Sequence, residues 1–246
     1  MISVQNAAFQ YRDDLIFRNV SFELAKGQTA AILGPNGRGK TTLLKSIVGL
    51  LPLAQGSVKT LGHIGYVAQK NHMAFSYKVL DIVVMGRAAH VGLFRTPGLN
   101  DYKIARATLD RLGIDSFADR LYTQLSGGER QMVMIARALA SECEVLFLDE
   151  PTSALDFFNQ ALILKLLRRI VAEDGLTVLF ATHVPQHAQY LADAVMLMHS
   201  VDHQDWGPAE EMLTETNLEA LYGVPVKSLE VEHEGKVASN LVPLFV

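Results

Sequence analysis

Gly34, Gly39, Lys40 and Thr41 of "GPNGRGKTT" satisfy the spacing G-x-x-x-x-G-K-[ST]. Glycines at those places let the backbone bend until several N–H groups point inward at phosphate oxygens. A lysine adds a cation for the outer phosphates, and a threonine hydroxyl can ligate Mg²⁺. The candidate cradle is Gly34, Pro35, Asn36, Gly37, Arg38, Gly39, Lys40, Thr41 and Thr42, behind the apolar run "TAAIL" and ahead of a helical pattern. "VLFLDEP" supplies a second half. An apolar strand ending in Asp149 offers one carboxylate to a Mg²⁺ shell, and Glu150 beside it can polarise an attacking water. Two acids at a buried strand end are costly without a cation or donors. Gln69, after "GYVA", can reach Mg²⁺ or that water. His183, after "LFAT", reads either as a catalytic imidazole or as a satisfied histidine at a strand end. Tyr11, before "RDD", can stack on a base or sit half-buried in a strand.

A second glycine-rich helix start lies far downstream. Ser126, Gly127, Gly128 and Glu129 of "QLSGGERQ" precede a pattern in which Met132, Ile135, Ala136 and Leu139 share one face. Such a start presents unpaired N–H groups and about half a positive charge. The plainer reading is a turn with Ser126 as the N-cap. The intervening segment makes this surface hard to reach for the phosphate loop of the same chain, whereas a second copy facing it head to tail can use it.

The elements that must position these residues follow from pattern. With 246 residues, 49% of them hydrophobic, the chain can bury a real core, and a formal charge of -4 gives no basic footprint for nucleic acid. A single cysteine, Cys143, excludes an internal disulfide. The start "MISVQNAAFQ" lacks the regions of a signal peptide, and no apolar run approaches the roughly 18 residues of a spanning helix. The expectation is a cytoplasmic chain that serves a membrane, if it does, from one side. "ISVQNAAFQY", "VSFEL" and "TAAIL" read as strands, the first two as an antiparallel edge. Leu44, Ile47 and Val48 share a helical face that Gly49 and Pro52 terminate. "HIGYVAQK" reads as a short strand. From about Val79 to Leu121 the pattern is helical, with a loop at "VGLFRTPGLN". "VLFLDE" and "LTVLFATH" read as buried parallel strands around a helix carrying Ile163, Leu166, Leu167 and Ile170 on one face. Beyond about Val195 come a strand, a loop, short helices at "PAEEML" and "TETNLEALYG", and two weak strands. Alternating strands and helices predict an α/β fold with a covered parallel sheet.

"GPNGRGKTT", Gln69, "LSGGERQ", "VLFLDEP", "SALD" and "ATH" resemble, in order, the Walker A, Q-loop, signature, Walker B, D-loop and H-loop of the ATP-binding cassette (ABC) family, over residues from about 1 to 200. The resemblance implies a P-loop NTPase with a mixed, mainly parallel core sheet, an antiparallel β subdomain and a helical signature subdomain. It implies a single domain over 1–246, with the helical part inserted at about 76–140 and a C-terminal extension from about 200 to 246. Two cassettes would then sandwich two ATP molecules, each between one chain's phosphate loop and the other's signature. By the same resemblance Tyr11 lies on adenine, Lys40 serves the phosphates, and Thr41, Gln69 and Asp149 serve Mg²⁺. Glu150 is the base, His183 the γ-phosphate switch, and Ser153, Ala154, Leu155 and Asp156 meet the opposite chain.

Two departures stand out. Val184 follows His183 where many cassettes have an acidic residue. "HSVDHQDWG" replaces a glycine-containing turn, and its His199, Asp202, His203 and Asp205 offer metal ligands in a predicted surface hairpin, against the plainer reading of a solvated loop. Repair cassettes insert long coiled coils between phosphate loop and signature, and translation factors carry two cassettes in a chain; this sequence has neither. "SYKVLDIVVMGRAAHVGLF" and "LTETNLEALYGVPV" are similar to the metal-chelate importers of iron-siderophores, haem and cobalamin. "ARALASECEVLFLDEPTSALD", together with the stretch from Ser76 to about Leu112, is also similar to molybdate and tungstate importer ATPases. The implied partners are a second copy, two permease subunits and, indirectly, a substrate-binding protein, at the cytoplasmic face of the inner membrane, with no nucleic acid. Val79, Leu80, Ile82, Val83 and Val84 are either helical core or, with Gln69, the groove that receives the permease. The alternative from another class is a soluble ATPase of a repair or assembly complex.

Overall fold

A computed structural model describes residues 1–69, 76–92, 95–233 and 235–245. In chain order the elements are β1 (Ile2–Tyr11), β2 (Asp14–Leu24), β3 (Thr29–Leu33), α1 (Lys40–Val48), β4 (Gln55–Thr60), β5 (Ile64–Val67), α2 (Val79–Val84), α3 (Ala88–Val91), α4 (Leu99–Arg111), α5 (Gly127–Ala140), β6 (Val145–Asp149), α6 (Phe157–Asp174), β7 (Thr177–Thr182), α7 (Pro185–Leu191), β8 (Ala194–Met198), β9 (Gln204–Pro208), α8 (Ala209–Met212), α9 (Glu215–Tyr222), β10 (Val226–His233) and β11 (Lys236–Pro243). They form two compact units, one of Met1–Thr60 with Leu179–Val246, the other of Leu61–Val178. Leu93 and Phe94 of the expected loop "VGLFRTPGLN" lie outside the described residues.

In the first unit β1 pairs antiparallel with β2 on one side and β4 on the other. Ile2, Val4, Ala7 and Phe9 of β1 are buried, and the change of parity between Val4 and Ala7 coincides with a register shift and a positive φ at Asn6. β3 is buried at all five positions and runs parallel to β8, as an uninterrupted apolar run predicts. β8 turns into antiparallel β9. Trp206 of β9 packs on Phe22 of β2 with ring centroids 4.7 Å apart, so this stretch is an anchored hairpin rather than a wholly solvated loop. β10 and β11 pair with each other.

Two elements in this unit carry no expectation from sequence, and a third was expected only as part of a hairpin. β4, "QGSVKT", is largely exposed and has no alternating pattern; its pairing with β1 makes it a strand. α7 is polar in sequence, yet Pro185 at its first turn presets the helical φ, and His187, Ala188 and Leu191 form its buried face. β9, an arm of the hairpin expected at "HSVDHQDWG", lacks a strand pattern of its own, with one residue after another only half-buried.

In the second unit β5 and β6 pair in parallel, Ile64 opposite Val145 through Val67 opposite Leu148. α2 packs on α4 and α5. Val79, Ile82 and Val83 are completely buried there, Val84 nearly so and Leu80 half-buried, so most of this face is helical core. Each such side chain contributes about 1.5–3 kcal/mol through burial. Gly86 lies so close to α5 that a Cβ would collide with the Arg137 carbonyl. The buried Arg87 guanidinium beside it donates to Ala140 O (2.8 Å) and Glu142 Oε2 (2.6 Å) and reaches Asp101 Oδ1 at 3.4 Å, fixing α4 and the end of α5 together.

Candidate functional site

The sequence-predicted residues divide between the two units. In the first, β3 delivers the chain to Gly34, whose Cβ, if it had one, would lie 2.9 Å from the Met198 carbonyl at the end of β8. Gly39 is the N-cap of α1 at φ +88, and a Cβ there would sit 2.7 Å from Ile16 Cγ2, so both conformation and space demand glycine. No side chain caps α1 and no acid occupies its first turn, which leaves the positive end of the helix to the loop. Lys40 is only 5% exposed, and its Nζ donates to the carbonyls of Gly34 (2.8 Å) and Pro35 (3.0 Å). A buried ammonium above an uncapped helix start is a donor set for a polyanion. Asn36, Gly37 and Arg38 are exposed, and Thr41 and Thr42 are half-buried in the first turn of α1. Tyr11 ends β1 half-exposed, its ring braced edge-on by Phe9 at 4.7 Å, so it belongs to the strand and still shows a ring surface.

His183 is exposed just after β7. Its carbonyl accepts a hydrogen bond from Tyr222 Oη at 3.0 Å, and α7, which follows it, is tied to β11 by Gln186 Nε2 to Leu241 O and Gln189 Nε2 to Ser239 O. A cavity of about 380 Å³ lies here, lined by His183, Val184, Pro185, Tyr222, Val226 and Leu241 among others. Val184 thus lines an apolar cavity, where an acidic side chain would be desolvated. Burial, and secondarily His183, push the His187 imidazole down to about 4, so it is neutral at pH 7. Tyr222→Phe removes one hydrogen bond to the His183 backbone, worth about 0.5–1.5 kcal/mol. With His183 in the γ-phosphate role that the sequence resemblance implies, the expected result in steady-state kinetics is a several-fold lower kcat with unchanged KM for ATP, and parental kcat would show that β7 alone positions His183.

In the second unit, Asp149 ends β6 only 2% exposed. Burial and then the Asp149 charge raise the Tyr66 phenol to about 12. The Tyr66 hydroxyl is buried without a hydrogen-bond partner among the described residues. A buried carboxylate of this kind fits a cation. Glu150 is 9% exposed and sits in the left-handed region at φ +49, a conformation costly for a non-glycine residue and typical of functional sites. Gln69 is exposed beyond β5.

Ser126 is the N-cap of α5. Its Oγ accepts from Glu129 N (3.3 Å), and Glu129 Oε2 accepts from Ser126 N (2.7 Å). The Ser126 N–H, first among several donors, holds the Glu129 carboxyl below the usual range. A Cβ on Gly128 would collide with the Asn159 side chain, and Asn159 is held by Asp156, whose Oδ1 accepts from its backbone N at 2.8 Å. Asp156 is therefore the N-cap of α6, and Leu155 lies against Gly127. Within this unit the signature residues and the segment Ser153–Asp156 form one surface, joined by Asn159. Ala154 is another left-handed residue on it, at φ +61.

Tyr66, Asn159 and Tyr222 are positions that motif reading missed. Tyr66 stands three residues before Gln69, a cue to proximity, but nothing in the sequence pairs Tyr222 with His183.

Residues 17–153 match the family model described as ABC transporter. The molybdate import ATP-binding protein MolC of Haemophilus influenzae is 39% identical over 99% of this chain and 96% of its own length. A solved structure described as a metal-chelate type ABC transporter in an inward-facing conformation superposes with a TM-score of 0.95 at 39% identity, over 99% of this chain and 97% of that one. A dimeric bacterial ABC transporter cassette superposes with a TM-score of 0.73 at 26% identity, over 85% of this chain and 99% of that one. The chain belongs to the ABC transporter family, as one of its ATP-hydrolysing cassettes.

Proposed function

We propose that this cassette is the energy-coupling ATPase of an importer for a metal chelate such as an iron-siderophore, haem or cobalamin, working as a head-to-tail pair on two permease subunits at the cytoplasmic face of a membrane. The observation that carries this reading is the likeness to the metal-chelate type transporter, which runs through the helical segment and the C-terminal hairpin as well as the nucleotide-binding motifs. Among the described residues no helix is long and apolar enough to cross a membrane, as expected of a subunit whose partners supply the spans.

In this reading Gly34 to Thr42 hold the phosphates of ATP, with Lys40 on the outer ones and Tyr11 on the base. Thr41, Gln69 and Asp149 are the residues that would hold Mg²⁺, which when bound offsets phosphate charge. Glu150 takes the proton of the attacking water, and His183 contacts the γ-phosphate. Catalysis of this kind is positioning and electrostatic stabilisation. The exposed start of α5, with Ser126 to Glu129, meets the nucleotide of the second copy. Phe157 and Phe158, 90% and 76% exposed beside Asp156, support a partner on that face, since adjacent aromatics are seldom left in water without one. A cavity of about 310 Å³ that includes Gly65, Tyr66, Ala68, Met85, Gly86 and Arg137 in its lining, next to Gln69 in sequence, is the proposed seat of a permease helix.

A second reading, oxyanion import, is favoured by the 39% identity to the molybdate import protein. One reconstitution tests both. The chain is purified with its membrane partners and binding protein, and ATPase stimulation is measured with ferric chelates, haem, cobalamin, molybdate and tungstate. Stimulation by a chelate or corrinoid is expected. Stimulation by an oxyanion alone would select the second reading, and failure of any membrane protein to copurify would overturn the importer role.

A further inference from the structure

A cluster that nucleotide chemistry does not use lies in the first unit, where β8 turns into β9. The backbone N–H groups of His199 and Ser200 both donate to the His203 carbonyl at 3.2 Å, closing a tight turn. The turn stacks the two imidazoles, with ring centroids 4.6 Å apart and 15° between planes. Both rings aim Nε2 at one carboxylate. His199 Nε2 is 3.1 Å from Asp205 Oδ2, and His203 Nε2 is 3.3 Å from Asp205 Oδ1. One ligand atom from each of the three residues falls within 4.8 Å of the others. Asp202 has another role, in an ion pair with Arg18.

Mutual ion pairing explains this arrangement poorly. Two stacked imidazolium rings sharing one carboxylate would repel each other. The His199 side chain is only 12% exposed, and its Nε2 is buried without a partner at hydrogen-bond angles, although a carboxylate oxygen stands 3.1 Å away. Two imidazole nitrogens and one carboxylate converging within this distance form a set of donors that a single cation can bridge.

We propose that His199, His203 and Asp205 bind one divalent transition-metal ion. Two imidazole nitrogens and a carboxylate suit Zn²⁺, Co²⁺ or Ni²⁺, whereas Mg²⁺ prefers all-oxygen shells, so this site is distinct from the Mg²⁺ that accompanies ATP. Ligand bonds of about 2.0–2.2 Å require the three side chains to draw slightly inward, which ring rotation in an exposed turn permits. His203 and Asp205 are the open side of the site, where a water or an exogenous ligand completes the shell. His199 directly follows Met198, whose carbonyl abuts Gly34 and whose methyl group is near Gly39. A bound ion therefore clamps the turn next to the phosphate loop.

The test uses the untagged full-length chain, freed of metal by chelation and dialysed into buffer with excess Mg²⁺ and no nucleotide. Co²⁺ is titrated and followed by its visible d–d absorption and by calorimetry. One equivalent is expected to bind, to be displaced by Zn²⁺ and not by more Mg²⁺, and to raise the thermal midpoint. His203→Ala and Asp205→Asn, both at accessible side chains, should each weaken Co²⁺ binding by at least about tenfold, the range that loss of even an outer-shell partner causes. Parental circular dichroism confirms that each variant is folded. Absence of Co²⁺ binding to the parent chain, or binding to both variants as tight as to the parent, overturns the assignment.

Discussion

Glu150→Gln is expected to bind ATP as tightly as the parent chain and to hydrolyse it about 10²- to 10⁴-fold more slowly, the range that a positioned general base supplies. The substitution keeps the size of the side chain and its place after β6 while removing its ability to accept a proton. Glu150 is 9% exposed and held at φ +49, so the carboxylate is placed by a strained backbone and not by a flexible loop. Glutamine meets the same backbone cost as glutamate, and stability should change little. With hydrolysis blocked and binding intact, the ATP-bound pair of cassettes should persist. Size exclusion in ATP and Mg²⁺ should show a dimer for the variant and mostly monomer for the parent. Parental turnover in the variant would remove Glu150 from the role of base. Slow turnover without a persistent dimer would keep the base and count against ATP-driven pairing.

The parts of the fold legible in sequence are those whose local pattern and tertiary environment agree. β3, β6 and β7 are buried at every position, and each is built on an unbroken apolar run of four residues. α5 begins at a serine with a glutamate three residues later, a signal contained within four residues. β4 and β9 became strands because a neighbour's edge offered hydrogen bonds, and that information sits in β1 and β8. The apolar face of α2 was open to two readings, and the covering by α4 and α5 decided for core.

The candidate site divides the same way. The phosphate loop and the two acids at the end of β6 each lie in a contiguous stretch and could be named from spacing. The left-handed backbone of Glu150 and Ala154 could not, since neither residue type favours it. Asn159 against Gly128, and Tyr222 on the His183 carbonyl, are products of chain folding with no local trace. The stretch "HSVDHQDWG" carried its ligand types openly, but only the turn that stacks His199 on His203 turns residue types into convergent atoms.

Ser126→Arg is expected to abolish ATP turnover while each chain still binds nucleotide, and a matched variant separates the reason from mere loss of a cap. Ser126 Oγ accepts from Glu129 N, so any residue unable to cap should cost about 1 kcal/mol of stability. Ser126→Ala bears that cost alone. Arginine bears it too, and also puts a long cation on an exposed helix start beside Gly127. If that start serves only its own chain, the two variants should lose similar stability and retain similar turnover. If it meets the nucleotide of a second copy, the arginine blocks close approach, and its turnover should fall to background while alanine keeps a measurable fraction. Binding of a fluorescent ATP analogue should match in both, because the residues proposed to hold the phosphates, Gly34 to Thr42, are unchanged. Equal turnover in the two variants would defeat the two-chain site. Loss confined to arginine, with nucleotide binding retained, would assign the second glycine-rich helix start to the partner's ATP.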